Sequence, residues 1–212
     1  MNLGDCDGYI ITGMKEADFE WINKIQKPVV LFGENNFGIP YVDSNNYQAT
    51  LFSTKYAASC GYDNICFIGL DVPEQFEISR EQGYQAAMEL LQLPVEIYKV
   101  DNRSSSAARL IEHMNQLADN TCFICASDRI ALGVERQLLS EGKDIPTDYG
   151  IIGFDGVFLD QIASPKLTTM RQNLVAMGSV CVKQLMALIE GETLTEPAKI
   201  YEAKMIVRGT TK

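Results

Sequence analysis

Short, almost uninterrupted apolar runs, separated by stretches of helical periodicity, constrain this chain more than any other feature. Asp7–Thr12, Pro28–Phe32, Ile65–Ile68, Val95–Val100, Cys122–Ala126 and Tyr149–Phe154 have strand length and few polar interruptions. Between them, Ala17–Ile25, Asn46–Ser59, Arg80–Leu91, Ser104–Leu117 and Ile130–Glu141 place apolar residues at helical spacing. Gly13, Gly61, Gly69 and Gly142 stand where such elements should stop. A strand that is apolar throughout is buried on both faces, which requires helices above and below a parallel sheet. The expected class is therefore α/β. In such sheets ligands sit beyond the C-terminal ends of the strands. That rule places Gly13, Gly69, Ser127, Asp128 and Asp155 near any site, because each follows an apolar run.

Composition narrows the function. The formal net charge is −10, and no basic stripe or helix-turn-helix pattern is present. Affinity for nucleic acid rests on neutralising phosphates, so an acidic chain is a poor partner for it. The apolar runs are too short to cross a bilayer. Met1–Asp5 has neither the basic nor the apolar segment of an export signal, so the expected compartment is the cytoplasm. Cys122 and Cys125 have the spacing of a redox or zinc motif. They fall within an apolar strand, where residues three apart point to opposite faces, and read as buried thiols. His113 is the single histidine, too few for a histidine metal site. Nucleophile elbows, phosphate loops and dinucleotide fingerprints are all missing from the sequence. The chain is expected not to be an enzyme and to need no cofactor.

A few polar groups at strand ends remain as candidates. Arg80 offers a rigid fork of donors for a hydroxyl pair or an anion. On pattern alone it equally suits a surface arginine at a helix start. Asp128 and Asp155 could each accept hydrogen bonds from a diol. Asp128, before Arg129–Leu132, also reads as a helix N-cap, and Asp155, before Gly156, as a turn residue.

Several stretches, in order, resemble the effector domain of the lactose/galactose-repressor (LacI/GalR) family of transcription regulators. They are Asp7–Ile11, Pro28–Val30, Val42–Asn46, Gly61–Gly69, Arg80–Tyr84, Ala126–Gly133, Ile145–Asp148, Ile151–Asp155, Pro165–Gln172 and Val207–Thr210. The resemblance implies two Rossmann-like lobes of the periplasmic-binding-protein-like type I fold, with a small sugar held in the cleft between them. Carried over, residues 1–61 and 165–192 form the N-lobe, and residues 62–164 and 193–212 the C-lobe. The chain would start at about the third strand of a truncated N-lobe, beyond the family's DNA-binding headpiece. The family's ligand-binding arginine matches Arg80 and its aspartate matches Asp155, expected on opposite sides of the cleft. Ser127 and Asp128 match a cleft-facing loop with weaker ligand involvement. Asn102 stands where the family often has a sugar-stacking aromatic, Asn45 where aspartate is common, and Tyr62 where histidine is common. Val42–Ala49 looks most like maltose-type or other oligosaccharide regulators of low-GC Gram-positive bacteria. The implied function is allosteric control of DNA binding by a homodimer, through a headpiece outside this chain. The alternative is a stand-alone periplasmic-type sugar-binding protein.

Overall fold

The computed structural model describes residues 6–114, 117–157 and 163–212. Met1–Asp5, read above for an export signal, and residues 115–116, read as the end of a helix, lie outside these. Contacts divide the chain into two compact units.

The first unit runs to Asn45 and includes Pro73–Phe76 and Asn173–Glu202. Its sheet has four parallel strands, in the order β1 (Tyr9–Thr12), β2 (Val29–Phe32), β3 (Tyr41–Ser44) and β9 (Ala198–Tyr201). A short helix, α1 (Phe19–Ile22), follows a single 3-10 turn at Glu16–Asp18. The longer helix expected over 17–25 does not form. The Asp18 carboxylate folds back to accept from the Lys15 backbone N–H and the Trp21 indole N–H, which leaves one helical turn. Helix α6 (Leu174–Ile189) is capped by the Asn173 side chain, which accepts from the Ala176 N–H at 3.2 Å. It packs on β1, β2 and β3. Met177 and Cys181, one turn apart, enter a core with Val30 and Val42.

The second unit comprises Asn46–Val72, Glu77–Gln172 and Ala203–Lys212. It is built on a six-stranded sheet. In chain order the strands are β4 (Asn64–Leu70), β5 (Ile97–Val100), β6 (Thr121–Cys125), β7 (Tyr149–Asp155), β8 (Thr168–Arg171) and β10 (Lys204–Ile206). Across the sheet the order is β10-β8-β7-β6-β4-β5, and only β10 is antiparallel to its neighbour. The central strands β4, β6 and β7 are buried along almost their whole length, as their unbroken apolar runs require. Cys66, Cys122 and Cys125 are free, buried thiols on β4 and β6. Burial pushes all three well above the ordinary thiol range. Helices α2 (Asn46–Ser59), α3 (Gln75–Leu91), α4 (Ser104–His113) and α5 (Asp128–Ser140) belong wholly or mostly to this unit.

These units divide the chain at different residues from those the resemblance implied. Residues 46–61 and 165–172 group with the second unit, because α2 packs on β4 and β6 and β8 pairs with β7. Residues 193–202 group with the first, because β9 pairs with β3. Helix α3 also begins earlier than expected, at Gln75. Glu77 accepts from the Leu70 N–H at 2.9 Å and ties the end of β4 to the opening turn of α3. Arg80 therefore lies in the second turn of α3 and not at its start.

Candidate functional site

The direction of strand order in the six-stranded sheet reverses between β4 and β6. The chain leaves β4 for β5 on one side, then returns past β4 to β6 and on to β7. A reversal of this kind opens a crevice beyond the strand ends. The segments there are Asp101–Arg103 after β5, Ala126–Asp128 after β6 and Asp155–Val157 from the end of β7, with the first turns of α3 following β4.

Arg80 is 5% exposed. Its Nε donates to Asn46 Oδ1 at 2.9 Å and its Nη1 to the Ala126 carbonyl at 2.5 Å. The guanidinium lies 3.6 Å from the centroid of the Phe154 ring, a cation–π stack. Gly83, one turn along α3, explains how α3 comes so near α2. A Cβ on Gly83 would stand 2.2 Å from the Tyr47 carbonyl oxygen, so only glycine permits that approach. The site thus holds a planar donor, oriented in advance by an amide, a carbonyl and a ring.

Asp155 ends β7 with φ +110°, a conformation that residues with a side chain rarely adopt. Gln172 holds it there. Gln172 Nε2 donates to Asp155 Oδ1 at 2.7 Å, and the Gln172 N–H donates to the Asp155 carbonyl at 3.1 Å. Among the described residues, Oδ2 accepts no hydrogen bond. Burial pushes the carboxyl above its usual range, opposed by the Arg80 charge, the Gln172 bond and the Arg129 charge. A half-buried carboxylate with one oxygen open among the described residues is a ready acceptor for a ligand hydroxyl.

Arg80 and Asp155 both belong to the second unit. They sit beyond neighbouring strands of one sheet, because α3 carries Arg80 over the ends of β6 and β7.

Ser127, not Asp128, is the N-cap of α5. Its Oγ accepts from the Ile130 N–H at 3.3 Å and donates to Asn102 Oδ1 at 3.1 Å. Asn102 also takes Arg129 Nη1 on its carbonyl. Where the family often carries a stacking aromatic, this chain thus has a polar cluster. Asp128 is fully buried. Its Oδ1 accepts from Thr169 Oγ1 at 2.6 Å and its Oδ2 from the Val157 N–H at 3.0 Å. Both oxygens are engaged, so Asp128 joins β8 and the loop after β7 to the start of α5. Gly153 leaves the space for this carboxylate, since a Cβ there would stand 2.4 Å from Oδ1.

The sequence reading did not single out Asn46, Phe154 or Gln172. Asn46 is 2% exposed. An asparagine opening a stretch of helical periodicity was the local signal available.

Residues 54–211 match the family model of the periplasmic binding protein-like domain. The chain belongs to that family and, within it, to the LacI/GalR group of transcription regulators. It is 41% identical to the helix-turn-helix-type transcriptional regulator YvdE of Bacillus subtilis strain 168, over all of this chain and 67% of that protein. A crystal structure described as a LacI transcriptional regulator from Bacillus cereus subsp. cytotoxis is 27% identical, with a TM-score of 0.89 over 97% of this chain and 76% of that one. A LacI family regulator from Enterococcus faecium, solved with bound ribose, shares the fold, with a TM-score of 0.84, 24% identity, and coverage of 97% of this chain and 79% of that one. The family is one of regulators and not of enzymes, and the chain is not an enzyme. It spans about two thirds or less of the length of the curated relatives it matches. Among the described residues, no helix is long and apolar enough to cross a membrane.

Proposed function

We propose that this chain is the effector-sensing domain of a LacI/GalR-type regulator and that its effector is a small sugar. The observation that carries the reading is the juxtaposition of Arg80 and Asp155. One is a fixed donor and the other a strained acceptor with one oxygen that takes no hydrogen bond among the described residues; Arg80 lies over the switch point, and Asp155, which feels its charge, ends β7 beyond β6. Adjacent hydroxyls of a sugar can donate to one group and accept from the other at once. The ribose in the Enterococcus structure agrees with a sugar as ligand class. Ser127, Asp128 and Asn102 act at one remove, by fixing the loops that surround the pair.

Binding would favour whichever state of the chain holds the sugar better, since only differential affinity shifts an equilibrium. By linkage, the same free energy would alter the operator affinity of the whole regulator. DNA reading would belong to a helix-turn-helix headpiece of the kind the Bacillus relative's name records, not to a surface with net charge −10. The working form is a cytoplasmic homodimer.

Calorimetric titration of maltose, cellobiose and ribose into the chain tests the reading. We expect saturable binding of at least one, with the sugar recovered unchanged. Three flat titrations would refute a sugar effector of these classes.

A further inference from the structure

Arg80 and Asp155 are each tied to a residue at which the chain passes between its two units. Asn46 is the first residue of the second unit after the crossing from Asn45, and its Oδ1 receives Arg80 Nε. Gln172 is the last residue before the crossing to Asn173. Its side chain and its backbone N–H both donate to Asp155, at 2.7 and 3.1 Å. A further crossing falls between Glu202 and Ala203. Ala203 packs, with Met205, on a cluster of Ala49, Phe154 and Met170, and the ring of Phe154 carries the Arg80 guanidinium. Each of these passages is therefore held by the candidate ligand pair itself or by the ring stacked on it.

The groups that hold the passages are also the groups a ligand would engage. A hydroxyl donating to Asp155 shares that carboxylate with Gln172 Nε2. A hydroxyl accepting from Arg80 shares that guanidinium with Asn46 Oδ1. The φ of +110° at Asp155 adds to this, because a residue in that conformation persists only while its surroundings hold it.

We propose that Asn46 and Gln172 are positioning residues that relay occupancy of the Arg80–Asp155 pair to the chain crossings. The proposal rests on the ligand reading above for its input. It assigns to two amides, on different elements, a role that depends on hydrogen-bond polarity and not on volume. Asn46 must accept and Gln172 must donate.

That polarity makes the test independent of any ligand. Hydrogen exchange is measured by mass spectrometry on the 212-residue chain, in wild type and in near-isosteric variants. Gln172→Glu replaces the donor with a carboxylate facing Asp155, and Gln172→Met removes the donor without adding charge. Both should speed exchange of the amides at 172–174 about tenfold, the equivalent of one lost hydrogen bond. Asn46→Asp keeps the acceptor and adds charge toward Arg80, so the amides at 45–47 should exchange no faster than in wild type. Asn46→Leu removes the acceptor and should speed them about tenfold. The same response to the two amide-to-acid exchanges would overturn the proposal. So would unchanged exchange in Gln172→Met and Asn46→Leu. Titration of maltose, cellobiose and ribose into wild type is read separately. Failure of all three to bind removes the sugar reading, while the exchange result still decides whether Asn46 and Gln172 hold the crossings.

Discussion

Two aspartates near the candidate site have opposite characters. Asp128 is fully buried, and both its oxygens are spent on protein donors. Asp155 keeps one oxygen open among the described residues and sits on a strained backbone. Removing the first orphans the buried Thr169 hydroxyl and the half-buried Val157 N–H. Asp128→Ala should therefore lower unfolding stability by about 2–4 kcal/mol in urea titration. Asp155→Asn leaves the shape intact, and asparagine tolerates positive φ better than most residues. Its stability should stay within about 1 kcal/mol of wild type. Equal losses in the two variants would contradict this division into a positioning and a binding aspartate. Sequence pattern could raise both residues as candidates but could not separate them. Which aspartate is satisfied depends on Thr169 and Gln172, brought near by pairing of β7 with β8. The same holds for Asn46, whose role follows from an arginine 34 residues away.

At the scale of elements, the central strands were legible because burial on both faces writes them as unbroken apolar runs. Strands β3 and β9 were not. β3 carries Asp43 and Ser44, and β9 alternates exposed and half-buried residues, so neither announces itself as a strand. The opening of α3 was hidden too. Its opening, Gln75–Arg80, alternates apolar and polar residues without helical spacing and becomes helix where the buried Glu77 binds the Leu70 N–H. The lobe boundaries depend on which sheet β8 and β9 join, and that is a long-range choice no local pattern records. The contact of α2 with α3 decides whether Arg80 reaches Asn46. Gly83→Ala should force the two helices apart at the Tyr47 carbonyl, at a cost of about 1–3 kcal/mol. Thermal denaturation gives the loss. A variant as stable as wild type would show that the approach is not as close as described.

Over the whole molecule, buried carboxyls set the pH response. Burial pushes Glu77 up to about 7, opposed by the Leu70 N–H, Arg80 and Lys99. Burial alone pushes Glu135 up to about 7. For both, the folded value lies above the unfolded value of 4.5. The folded chain therefore binds protons more tightly, and the stabilisation is complete below about pH 4.5. It is lost as the pH rises through about 7. Urea unfolding should show a less stable chain at about pH 8 than at about pH 5.5, by on the order of 1–3 kcal/mol for each group. Glu77→Gln and Glu135→Gln should each flatten the profile, and a profile rising toward pH 8 would refute the assignment. The central claim is that the sugar is held by the Arg80–Asp155 pair, and its most direct test is titration of the same sugars into wild type and Asp155→Asn side by side. The account predicts that a sugar binding wild type binds the variant about ten- to a hundredfold more weakly, as loss of one charged hydrogen bond requires, while the melting temperature without sugar is unchanged. A sugar that binds both proteins with the same affinity would contradict it.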